Sequence, residues 1–222
     1  MSDDERDDDR DVDPATMLQV MQSTRRATRG KLARTTSWLL FLWAAAWFIG
    51  FGALWFGVGI GGVAVIPTPV AWIVFGSLTI AAMVSTGIIS VRMSADGIRG
   101  RSQLRGKLYG FSWMAAMLGV TFLLQALRLA GFTPELTQLI YPAFYIFAVG
   151  MMYLAGGAIW RSPAQFVLGV IMLVVVVIAT FAGAPWHYLI YSTVGPAAMT
   201  VTGVLLWRGI LPAESRGSGE PA

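Results

Sequence analysis

The sequence predicts an all-α, polytopic transmembrane bundle with six membrane-spanning helices and both termini cytoplasmic. Three observations carry that prediction. Of the 222 residues, 13% are charged and 56% hydrophobic, about half the charged share of a soluble domain. Six apolar stretches each supply the roughly 20 residues needed to cross about 30 Å of hydrocarbon. With those spans drawn, 15 of the 16 Lys and Arg residues fall on one side of the membrane, the bias that sets orientation.

Residues 1–13 carry eight acids against Arg6 and Arg10 and little to bury, so they are expected to form a disordered acidic tail. Asp13 followed by Pro14 reads as an N-cap with proline at the first helical position. Residues 14–36 form a basic juxtamembrane segment, expected as a short interfacial helix with Met17, Leu18 and Met21 on one side. It leads into Arg25, Arg26, Arg29, Lys31 and Arg34, with no acid among them. Along an anionic leaflet each such cation is worth about 1 kcal/mol. The first apolar stretch begins too far in and is too long for a cleavable signal peptide, so it is expected to be the anchor itself.

The six-helix domain occupies 37–208, with spans near 38–60, 70–91, 109–130, 139–160, 165–184 and 187–207. Residues 209–222 are expected as a short cytoplasmic tail. In lipid every backbone group must bond within its own segment, and no strand alternation is present, so helices are expected throughout. Gly183-Ala184-Pro185-Trp186 should tie the last two spans into a tight antiparallel pair. Five more cations, Arg92, Arg99, Arg101, Arg105 and Lys107, lie between the second and third spans, and only Arg128 falls on the opposite face. Trp38, Trp113, Trp160 and Trp207 mark the inner interface and Trp55, Trp72 and Trp186 the outer one, as amphipathic rings prefer. Trp43 and Trp47 lie deeper, one turn apart, and read as packing residues.

The spans are chemically sparse. There is no Cys, and between residues 38 and 207 the only acids are Asp96 and Glu135, both in connections. Coupled transport and membrane catalysis usually rest on intramembrane carboxylates or histidines. The sole histidine, His187, is expected at the outer interface, with no second metal ligand near it in sequence. A P-loop would need Gly where Arg101 stands and Ser or Thr where Leu108 stands. Gly110-Phe111-Ser112-Trp113-Met114 lacks the last glycine of a nucleophile elbow. No nucleophile, base and orienter come together, so no enzyme, cofactor or metal is expected.

Four features remain. Gln125, Arg128 and Glu135 could form a polar cluster at the outer mouth. Gly195-Pro196, beside Thr193 and Thr200, breaks the hydrogen-bond ladder near the middle of the sixth span, where transporters often bind substrate. With Ser77, Thr79, Ser85 and Thr86 of the second span it would suit a small permease or channel for a neutral or hydrophobic solute. Small residues at four-residue spacing, Ala46 to Gly50, Ala53 to Gly57 to Gly61, and Ala115 to Gly119, suit close helix packing within the chain or in a homo-oligomer. FIGFGALW at 48–55 aligns with YLAGGAIW at 153–160, which would make the two halves inverted repeats.

WLLFLWAAAWFIGFGALW in the first span and GIRGRSQLRGKLYGFSW leading into the third resemble a group of uncharacterised six-span integral membrane proteins of Actinobacteria, sometimes labelled transporters. The resemblance implies a bacterial inner membrane and brings no catalytic residue with it. The reading that follows is a non-enzymatic membrane component. Its basic cytoplasmic face contacts anionic inner-leaflet lipid or a membrane or cytosolic protein partner, and nucleic acid is not expected. A permease is the second reading and a lipid-modifying enzyme the third.

Overall fold

Proline and a capping hydroxyl start several of the helices. Thr133 and Ser162 accept hydrogen bonds from the backbone N–H of Leu136 (3.3 Å) and Gln165 (3.4 Å), each with proline immediately after the cap. That arrangement satisfies one otherwise orphaned donor, and the proline fixes φ for the first turn. The computed structural model describes residues 14–59, 63–95 and 101–211. Six helices follow: α1 (Pro14–Val58), α2 (Thr68–Ala95), α3 (Arg101–Leu129), α4 (Pro134–Ile159), α5 (Pro163–Ala182) and α6 (Trp186–Trp207). All six are long and apolar enough to span a membrane.

Helix boundaries and apolar boundaries differ on the basic side. The expected interfacial helix of 14–36 is continuous with the first span, so α1 is a single 45-residue helix. Gln, Met, Arg, Lys, Ala and Leu are all good helix formers, and hydropathy reads a change of solvent where the hydrogen-bond ladder has no reason to stop. Likewise α2 runs on to Ala95 and α3 starts at Arg101. Arg92, Arg101, Arg105 and Lys107 are therefore helical and not loop residues. Arg99, the acidic tail and residues 212–222 lie outside the described residues.

Packing runs in the order α3, α4, α5, α6, α1, α2, each helix against the next. The core is built by α1, α4, α5 and α6, through Leu40, Trp47, Phe51 and Leu54, Ile146, Leu168 and Met172, and Tyr188, Tyr191 and Met199. α4 and α5 approach until backbones nearly touch. A Cβ on Gly157 would stand 2.7 Å from the backbone nitrogen of Phe166, and one on Gly169 the same distance from that of Leu154. α1 and α2 meet similarly at Gly57, where a Cβ would lie 2.6 Å from that of Ala71. The end helices are different: 6% of the apolar window of α2 and of α3 is buried, against 33–39% in the other four.

Candidate functional site: the basic end of the bundle

Consecutive helices run antiparallel, so the start of α1, the end of α2, the start of α3 and the ends of α4 and α6 share one end of the bundle. Ring contacts across helices fix this arrangement. Trp38 of α1 meets Trp207 of α6 edge to face at 5.4 Å between centroids, and the Arg34 guanidinium carbon stands 5.6 Å from the same Trp207 ring. Tyr109 of α3 meets Trp160 at the end of α4 at 4.5 Å, and Trp113 meets Tyr153 at 5.9 Å. The Tyr109 hydroxyl donates to the Met152 carbonyl at 2.7 Å and accepts from Gln165 Nε2 at 3.2 Å, tying α3, α4 and α5 together just inside this end.

The cations collect there. Lys31, Arg34, Arg92, Arg105 and Lys107 are exposed, and Arg25, Arg26, Arg29 and Arg101 belong to the same helical ends. Arg161, at positive φ between α4 and α5, and Arg208 after α6 complete the set. Among the described residues Arg128 is the sole cation at the far end. A contact of Arg34 with the Trp207 face is worth about 0.5–1 kcal/mol at an exposed site, so it orients this cation without removing it from the surface.

The middle of α6 is filled. Gly195 and Pro196 are buried within an uninterrupted helix, and a Cβ on Gly195 would come within 3.1 Å of the Trp47 ring. Trp47 of α1 packs against this part of α6. Thr193 and Thr200 are exposed, and Thr193 bonds back to the Leu189 carbonyl at 2.8 Å. Three of the four hydroxyls proposed on α2 are similarly absorbed. Ser77, Thr79 and Thr86 donate to the carbonyls of Val74, Phe75 and Ala82, and Thr86 also accepts from Trp43 Nε1 at 3.1 Å. Trp43 and Trp47 thus join α1 to α2 and to α6.

At the far end, Gln125, Arg128 and Glu135 are all exposed, and no hydrogen bond or ion pair joins them. His187, expected at the interface, is instead fully buried, with Nδ1 and Nε2 each 3.2 Å from the carbonyl oxygens of Gly183 and Gln138. Trp186 takes the exposed position at the start of α6, and the next residue turns inward with Tyr188 and Tyr191. Spacing could have shown this, because 187, 188 and 191 share one helical face. The Tyr191 hydroxyl and Trp55 Nε1 are buried without a hydrogen-bond partner. Among the described residues no group of three His, Cys, Asp or Glu could hold a metal ion.

No protein-family model, curated protein or solved structure matches this chain.

Proposed function

We propose that the protein is a non-enzymatic membrane component of a bacterial inner membrane whose basic end faces the cytoplasm and holds anionic inner-leaflet lipid. One observation carries the reading: exposed cations from α1, α2 and α3 gather at a single end, next to interfacial tryptophans, on a bundle whose interior is packed with apolar and aromatic side chains. Packing of Trp47 against Gly195 at the middle of α6 counts against a solute site there. The acidic tail, formally −6 over residues 1–13, competes with lipid headgroups for the same cations.

The test uses the full chain and a chain lacking residues 2–13, reconstituted in vesicles of phosphatidylcholine and phosphatidylglycerol. Bromine on the chains of one lipid or the other makes tryptophan quenching a measure of relative lipid affinity. Removing the tail should raise the preference for phosphatidylglycerol at low salt by about fivefold, the equivalent of freeing one cation worth about 1 kcal/mol. The effect should shrink at high salt, because screening acts within about 10 Å at 0.1 M. An unchanged preference refutes tail competition. No preference in either chain refutes the lipid reading, and a stoichiometric protein retained on mild-detergent purification would replace it with a partner.

A further inference from the structure

A groove opens between α1 and α6 at the basic end. Trp38 and Phe41 of α1 and Val204, Trp207 and Arg208 of α6 line a volume of about 290 Å³, near the lower bound for a small-molecule site. The rings hold one another in place. Trp38 stands edge-on to Phe41 at 6.2 Å and to Trp207 at 5.4 Å between centroids. Phe41 can lie this close to α6 because Gly203 has no side chain, and a Cβ there would come within 2.7 Å of the Phe41 ring.

Two arginines gather on the Trp207 ring. Arg208 lines the groove beside it, and the Arg34 guanidinium carbon is 5.6 Å from its centroid. Arg34, Trp38 and Phe41 follow at intervals of four and three residues, so they share one face of α1, with Arg34 one turn beyond the aromatic wall. Arg208 is held by the way α6 stops. The Gly209 N–H, at φ 68°, donates to the Leu206 carbonyl at 3.1 Å, and that of Ile210 to the Leu205 carbonyl at 3.0 Å. This paired closure satisfies two of the last carbonyls and leaves Arg208 as the capping residue. The roughly half negative charge of a helix C-terminus is outweighed by two full positive ones.

We propose that this groove binds one anionic phospholipid, its phosphodiester at Arg34 and Arg208 and the upper part of an acyl chain against Phe41 and Val204. A basic edge above an apolar and aromatic wall, at the depth of the interfacial tryptophans, matches a phosphate above its acyl chains. A choline headgroup also favours tryptophan faces, but Arg34 already stands on Trp207 and repels it. The acidic tail could meet the arginines, yet Met1 and Val12 are the only apolar side chains of residues 1–13, too few to cover the wall. A second copy would have to bring an acid to the groove, and Glu135, the sole acid among the described residues, lies at the far end. The site rests on the basic-end reading above and narrows it to one place.

Native mass spectrometry of the detergent-solubilised full chain, titrated with phosphatidylglycerol or phosphatidylcholine, tests the site. One phosphatidylglycerol should be retained, preferred about tenfold or more, as two interfacial cations allow. R34Q/R208Q should lose the preference and R34K/R208K should keep most of it. R105Q, on α3 at the end of the row, removes a charge from the same end of the bundle and should change nothing. V204F, which fills the groove and leaves every cation, should lose the retained lipid yet keep the phosphatidylglycerol preference in the vesicle assay. Circular dichroism and size exclusion confirm that each variant is folded. Retention unaffected by V204F overturns the site while leaving the basic end as a diffuse lipid surface. Equal retention of both lipids overturns the charge argument, and displacement of the lipid by inorganic phosphate reduces the site to one for the headgroup alone. Retention seen only after removal of residues 2–13 assigns the groove to the tail, and a stable dimer without lipid assigns it to a second copy. Absence of any preference in the vesicle assay for the unaltered chain overturns the broader reading instead.

Discussion

Gly157 and Gly119 have the same side chain and opposite circumstances. At Gly157 a methyl group would meet backbone atoms of Phe166 at 2.7–2.8 Å, which no change of rotamer relieves; at Gly119 it would meet nothing within 4 Å. Overpacking of this kind costs about 1–3 kcal/mol, whereas alanine in an open helical position gains up to about 1 kcal/mol of propensity. Gly157→Ala should therefore lower the thermal unfolding midpoint in detergent, and Gly119→Ala should leave it unchanged or raise it. The reverse order would mean that α3 and not α4 carries a tight contact. The four-residue spacing of Ala115 and Gly119 suggested a packing face, yet that face is open. Gly50 and Gly57 of α1, from the other spaced pairs, do press against α2, and α4 meets α5 closely through Gly157 and Gly169. Spacing records which residues share a face, and it did not distinguish the faces of Gly50 and Gly57, which meet α2, from that of Gly119, which meets nothing.

Among elements, α1 departs furthest from a reading based on hydropathy. Its 45 residues correspond to about 68 Å at 1.5 Å per residue, more than twice the hydrocarbon thickness. Its first turns, with exposed Met17, Leu18 and Val20, continue the ladder of the span. Spin labels at Gln22→Cys and Thr36→Cys, in a chain that has no cysteine of its own, should report a narrow distance distribution near about 21 Å, the rise of fourteen helical residues. A broad distribution would place a hinge at the membrane boundary and restore a separate interfacial helix. The starts of the helices were more legible than their basic ends. Pro14 opens α1, and Pro134 and Pro163 open α4 and α5. A proline after a cap is a local signal, while a helix leaving lipid for headgroups crosses a solvent boundary without losing a hydrogen bond.

For the whole molecule, the antiparallel succession of six helices places Ser23 at one end and Thr133 at the other. In spheroplasts an impermeant maleimide should label Thr133→Cys at once and Ser23→Cys only after lysis. The opposite pattern would turn the basic end outward and remove the inner leaflet from the functional reading. The row α3, α4, α5, α6, α1, α2 also bears on the alignment of residues 48–55 with 153–160. Under an exchange of the two halves, α1 on α2 corresponds to α4 on α5, and α3 on α4 to α6 on α1. Only α5 on α6 lacks its counterpart, because α2 and α3 stay apart. The tight three-residue connection before α6 holds its pair together, whereas α2 and α3 end the row on opposite sides.

Composition and charge placement by themselves determined that this is a six-span helical protein with its cations at one end, because a membrane admits few solutions for the backbone and sorts cations by position. The proline at position 14 marked where α1 begins. Only the tertiary structure decided that His187 is buried, that Trp47 packs against the middle of α6, and that α2 and α3 stand at the two ends of the row of helices. Each of these depends on which helix faces meet, and in lipid, where apolar residues are favourable on every side, hydrophobicity no longer separates inside from outside. Close packing makes that choice, through glycines and aromatic rings whose fit exists only once the helices are together.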